Sequence, residues 1–207
     1  MRNSMLAVIL LTASCLAQEL KPIALPPPQT DGGRPLMQVL KDRKTTRDFA
    51  AGKLSPQVLS NLLWAAFGVN RPDGRRTAPS AMNKQEIDIY VATANGLFIY
   101  NAQANRLDPV LAQDIRAATG TQSFAATAPL DVVYVADLAK TGSEPDADLY
   151  TAADTGFIAQ NVYLFCASEG LATVVRGSVD RAALAKVMKL RPEQKVILAQ
   201  TVGYPKK

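Results

Sequence analysis

From Leu36 onward the chain switches repeatedly between helical and strand-like hydrophobic periods, which confines it to architectures that pack helices on a sheet. Leu36–Asp42 puts Leu36, Val39 and Leu40 on one helical face. Ser55-Pro56 reads as an N-cap with Pro at the first helical position. It opens a helix to about Phe67 that buries Leu59, Leu62, Leu63 and Ala66 and stops at Gly68. Ile87–Ala92 and Leu97–Tyr100 are short strand-like runs around Asn95-Gly96, a strong hairpin signal because both residues tolerate the positive φ of a tight turn. Leu107–Ala118 reads as helical and Leu130–Val135 as a continuous apolar strand. Asp148–Glu169 reads as a long helix stopped by Gly170, and Ala172–Val175 as a short strand. Asp180 caps a helix over Arg181–Met188, and Val196–Val202 is the last strand. The pattern predicts an α+β chain, an α/β sandwich with a mixed central sheet flanked by helices.

The N-terminus has a different character. Met1–Ala17 carries Arg2, then the apolar run Met5–Ala13, then Cys15-Leu16-Ala17 with small residues where a signal peptidase reads. It reads as a secretory signal cleaved after Ala17, with an apolar run too short to span a bilayer. A lipoprotein reading competes, with Cys15 lipidated after Thr12-Ala13-Ser14, although a bulky aliphatic is usual where Thr12 stands. The expected location is outside the cytoplasm, in a bacterial periplasm or cell envelope, with no transmembrane segment in the mature chain. Residues 18–35 contain Pro26-Pro27-Pro28 and Gly32-Gly33 and read as a Pro/Gly-rich linker or arm. Residues 36–207 form the domain.

Composition removes whole classes of chemistry. The 207 residues include no histidine, so Ser-His-Asp and Cys-His catalysis and His-ligated metals are excluded. Acid–base work falls to carboxylates, Lys, Tyr, solvent or a cofactor. Cleavage after Ala17 removes Arg2 and no acid, lowering the net charge from +5 to +4. It also leaves Cys166 as the only cysteine, in the apolar stretch Phe157–Ala167, where it reads as a core residue. The basic residues are scattered and not interleaved with aromatics, which argues against nucleic-acid binding.

Four segments carry candidate chemistry. Arg43-Lys44-Thr45-Thr46-Arg47 packs three cations and two hydroxyls into five residues, a set suited to phosphate; a solvated basic turn is the competing reading. Thr77–Gln85 holds Pro79, Ser80, Asn83 and Gln85 just before a strand. Its Asn and Gln amides suit the edge of a heterocycle, or the segment is an ordinary loop. Gly170–Gly177 runs into Val175-Arg176-Gly177, where backbone can approach a planar ligand. Val202–Lys207 ends a strand in Gly and Pro followed by Lys206 and Lys207, or is only a charged tail.

Together, in this order and spacing, the four segments resemble the nitroreductase-like flavoenzymes that hold FMN. Arg43, Thr45 and Arg47 match that family's Arg-x-Ser/Thr-x-Arg/Lys segment. Pro79, Ser80, Asn83 and Gln85 match its Pro-Ser-x-x-Asn-x-Gln segment. The long central helix, the Gly-Leu turn and a late Val-Gly-Tyr-Pro are all present, so the resemblance covers nearly all of Leu36–Lys207. The Asn95-Gly96 hairpin, with Tyr100 and Leu107–Val110, is most similar to the subgroup containing azoline-oxidising dehydrogenases.

The resemblance implies FMN at a homodimer interface. Arg43, Lys44, Thr45 and Arg47 would hold its phosphate, ribityl chain and pyrimidine edge, with Lys206 or Lys207 completing the phosphate site. Pro79, Ser80 and Asn83 would line the isoalloxazine from the other subunit. Val175, Arg176 and Gly177 would approach its second side. The implied activity is ping-pong hydride or electron transfer to a nitroaromatic or quinone-like acceptor, or from a small oxidisable substrate, with no protein nucleophile. Two other readings stay open: a non-catalytic flavin- or ligand-binding module of the same fold, and an anion- or surface-binding domain.

Overall fold

The structure, a computed structural model, describes residues 19–142 and 144–206. The signal and lipidation readings at Met1–Ala17 and Cys15, and Lys207, lie outside these residues. Seven strands, β1 (Ile23–Ala24), β2 (Ile87–Thr93), β3 (Gly96–Asn101), β4 (Arg106–Leu111), β5 (Leu130–Asp137), β6 (Ala172–Arg176) and β7 (Gln194–Gly203), form one sheet. Its order is β1-β4-β3-β2-β5-β7-β6. The helices are α1 (Leu36–Asp42), α2 (Pro56–Phe67), α3 (Ala147–Glu169) and α4 (Arg181–Met188). The α+β class is the one expected. The sheet differs in one respect: its strand pairs are antiparallel rather than mixed.

Burial on both faces explains why β5 reads as an unbroken apolar run. Leu130, Val132 and Tyr134 face the larger core beneath α2 and α3, with Leu62, Leu63, Ile158, Val162 and Cys166. Val133 and Val135 face the opposite core, where Leu184 and Met188 of α4 pack with Ile115. The punctuation signals act as expected. Ser55 accepts the Val58 N–H (3.2 Å), Asp180 accepts the Ala183 N–H (3.0 Å), and Gly170 closes α3 at φ 68°. Gly96 turns the hairpin at φ 144°, where a β-carbon would stand 2.5 Å from the Leu111 carbonyl oxygen.

One element is corrected. Leu107–Ala118, expected to be helical, is strand β4 followed by a single 3₁₀ turn over Arg116–Ala118. Its apolar spacing fits a helix, but β3 needs a partner, and Tyr100 pairs with Leu107 and Phe98 with Pro109. Pro109 is tolerated because β1 covers β4 only at Arg106 and Leu107, so the strand has a free side beyond them. The proline-rich arm is anchored against the domain. Leu25 donates its N–H to Asn105, and the Pro26 carbonyl accepts from Ser60 Oγ and Asn105 Nδ2.

Candidate functional site

The basic segment leaves α1 in extended form and lies along the outer edge of β6. The Thr46 N–H donates to the Thr173 carbonyl (3.0 Å). Tyr163 of α3 pins the segment to the sheet. Its hydroxyl accepts the Val175 N–H (3.0 Å), which leaves its proton free to donate to Thr45 Oγ1 (3.0 Å). The Arg43 guanidinium lies 5.3 Å from the centroid of the same ring, a cation–π contact.

The C-terminal tail completes this corner. Ala50 donates to the Tyr204 carbonyl and Lys206 to the Asp48 carbonyl, while Phe49 pairs with Pro205. The structure therefore brings Arg43, Lys44, Thr45, Arg47, Val175 and Lys206 together. Among the described residues, none of the four cations in this set forms an ion pair. Lys44, Thr45, Arg47 and Lys206 are exposed, and Arg43 is half-buried. Cations that form no ion pair among the described residues, beside the Thr45 hydroxyl, give this corner residue types that suit an anion.

The Pro79–Gln85 segment lies elsewhere. It packs on the N-terminal half of α3, where Asp154 Oδ2 accepts the Ala81 N–H (2.8 Å). Asp154 and Tyr163 are nine residues apart, about 13 Å at the helical rise. One chain thus does not bring the two candidate groups together. The turn is strained: Met82, Asn83 and Gln85 adopt φ of 50°, 53° and 50°. Ser80 Oγ accepts the Gln85 N–H (3.0 Å). The Gln85 side chain donates to Asn83 Oδ1 and the Gly74 carbonyl and accepts from Arg76 Nε. Gln85 is thus a brace within the turn, whereas Pro79 and Asn83 are exposed.

Arg176 departs from its expected place. Its guanidinium is turned into the protein, donating to the Thr119 carbonyl (2.7 Å), Thr119 Oγ1 (3.0 Å) and Asp131 Oδ1 (2.8 Å). Thr201 also hydrogen-bonds Asp131. Both charges of the pair are withdrawn from solvent. Burial pushes the Asp131 carboxyl up to about 6, against the pull of Arg176 and Thr201. A β-carbon at Gly120 would collide with Arg176 Nη1, so that glycine makes room for the guanidinium. The charge of Arg176 is spent on β5, leaving only its backbone near the corner. Gly177 is exposed, and a β-carbon there would meet only Leu198, at 4.0 Å.

Sequence reasoning passed over Tyr163, Asp154 and Glu86. The signals were a tyrosine within an apolar helical stretch and a carboxylate at core spacing with Thr151, Thr155 and Ile158. Glu86 is buried beneath the turn, close to Asp154, and neither carboxyl oxygen has a hydrogen-bond partner of good geometry among the described residues. Burial, reinforced by the Asp154 charge, pushes it up to about 7.

The sequence model of the Nitroreductase family matches residues 40–204. A candidate nitroreductase of Methanocaldococcus jannaschii is 29% identical over 169 residues, covering 75% of this chain and 85% of the relative. The crystal structure of a candidate nitroreductase from Ralstonia eutropha JMP134 superposes with a TM-score of 0.87 at 43% identity, covering 91% of each chain. A chain of the Escherichia coli microcin synthetase complex shares the fold, with a TM-score of 0.69 at 20% identity over 96% of this chain and 85% of that one.

Proposed function

Because the chain belongs to the nitroreductase family, and is an oxidoreductase of the general kind that usually employs a flavin, we propose that it is an FMN-dependent homodimer acting outside the cytoplasm. The observation that carries this reading is the Tyr163-pinned corner. Beside the β6 edge it offers the Thr45 hydroxyl and four cations that form no ion pair among the described residues. That donor set fits a phosphate-bearing ligand: Arg43, Lys44, Arg47 and Lys206 hold the phosphate and the electron-rich edge, and Thr45 supplies a neutral donor. When bound, FMN would supply two-electron redox chemistry, which needs no histidine from the chain. Arg47 favours the added negative charge electrostatically, and Val175 with the Gly177 backbone flanks the ligand.

α3 supports the dimer reading. Its inner face buries Thr151, Asp154, Thr155, Ile158, Val162 and Cys166. Its opposite face exposes a second apolar stripe, Leu149, Ala152, Ala153, Gly156 and Phe157. Packing two such stripes about a two-fold axis perpendicular to them would set the α3 helices antiparallel. The Pro79–Asn83 turn of one subunit would then approach the Arg43–Arg47 corner of its partner, joining groups that one chain anchors at Asp154 and Tyr163, about 13 Å apart along α3. Electron transfer from a small oxidisable substrate, or to a nitroaromatic or quinone-like acceptor, is the chemistry that FMN would supply there.

The test is to purify the protein and record its visible spectrum. Flavin absorbance that bleaches anaerobically with a reductant and returns with an acceptor is the expected result. Flavin that is held but never turns over favours the binding-module reading. The double substitution Arg43→Ala, Arg47→Ala is expected to abolish FMN retention; unchanged affinity puts the phosphate elsewhere. Cell fractionation tests the location, and recovery in the cytoplasm would overturn it.

A further inference from the structure

Flavin chemistry gives no role to the two carboxylates beneath the Ser80–Gln85 turn. Glu86 and Asp154 are both almost fully buried, at 1% and 2% exposure. Asp154 holds the Ala81 N–H, among the described residues the only side-chain anchor from α3 to the start of the turn. The next residues, Met82 and Asn83, are left-handed, so the turn stays in place only while its attachments hold. Glu86 follows the turn directly, with both oxygens unpartnered, and the Thr151 and Thr155 hydroxyls on α3 lack partners too. Two adjacent buried carboxyls cannot both ionise without strong repulsion. A proton on Glu86 relieves it while Asp154 accepts the Ala81 N–H.

We propose that Glu86 and Asp154 act as positioning residues for the Ser80–Gln85 turn, which loosens when Glu86 gives up its proton. The groups facing the pair do not neutralise it. Lys140 is bound to Asp88 Oδ1 (2.8 Å) and the Gln85 carbonyl (3.3 Å). Lys84, Glu144 and Tyr150 line the small cavity next to Glu86. Asp137, whose N–H donates to the Glu86 carbonyl, is paired with Arg191. The consequence for FMN rests on the reading that this turn contacts the flavin; the positioning itself does not.

The experiment follows amide exchange of Met82–Gln85 in the flavin-free protein, corrected for intrinsic rates, alongside FMN affinity at the same pH values. Opening that returns Glu86 from about 7 to its ordinary 4.5 makes exchange about tenfold more frequent at pH 8 than at pH 6. Glu86→Gln, which cannot ionise, is expected to abolish that rise, and Asp154→Ala to raise exchange at both pH values. A wild-type turn with no pH response, or a Glu86→Gln turn that keeps it, overturns the proposal; the wild-type titration decides even if the variant misfolds. A turn that responds while FMN affinity stays flat supports the positioning and refutes the flavin reading of the turn.

Discussion

Replacing Arg176 with Met tests whether this cation is structural. The substitution keeps most of the side-chain volume but removes donors from the Thr119 carbonyl, Thr119 Oγ1 and Asp131 Oδ1. Breaking a buried ion pair on one side costs about 3–5 kcal/mol, because the remaining charge is stranded. That is a large share of the roughly 5–15 kcal/mol that holds a domain folded. The loss depends on pH in a definite direction. Asp131 already has a folded-state pKa raised from 3.8 to about 6, and without Arg176 it rises further. A raised carboxyl pKa gives stability that is complete below the unfolded value and lost as pH rises through the folded one. Arg176→Met is therefore expected to be mildly destabilised near pH 4–5 and to lose the full amount at pH 8. Urea unfolding of the flavin-free protein at both values reads the difference directly. Adding Asp131→Leu is expected to recover most of the loss, since the stranded charge is then gone. A loss under about 1 kcal/mol at pH 8, or an equal loss at both pH values, would refute the reasoning. FMN affinity of the folded variant is expected to match wild type.

Two further outcomes follow from α3. Tyr163→Phe removes the hydroxyl shared by Thr45 and Val175, and is expected to cost about 1–2 kcal/mol in unfolding free energy. It should also weaken FMN binding more than it weakens stability; isothermal titration that finds affinity unchanged would show that the pin is dispensable. Cys166 is fully buried and its thiol is pushed well above its ordinary pKa by burial, so thiol reagents should label it only after denaturation.

How much of this was legible beforehand depended on whether the determinant was local. Ser55-Pro56, Asp180, Gly170 and Asn95-Gly96 each act within a few residues, and the elements they bound fall close to where the sequence puts them. Leu107–Ala118 misled because its apolar spacing suits a helix while its conformation is set by β3, a neighbour the pattern does not name. The site divides in the same way. The cation density of Arg43–Arg47 suits an anion or a solvated turn alike, and among the described residues its cations form no ion pair. The side chain of Arg176 looks equally available in the sequence, yet it is consumed by Asp131, 45 residues away, and sheltered by a gap at Gly120.

The sequence by itself determined the α+β class, the boundaries of the capped helices and the Asn95-Gly96 hairpin, and the residue types able to hold a phosphate, because periodicity, caps and charge density are local properties. Only the tertiary structure decided which cations stay free, that Tyr163 ties the basic segment to β6, and that the Pro79–Gln85 turn stands at the far half of α3 above a buried carboxyl pair. Those depend on which distant side chains meet in a low-dielectric interior, where a partner gained or missing changes a charge from ligand to brace.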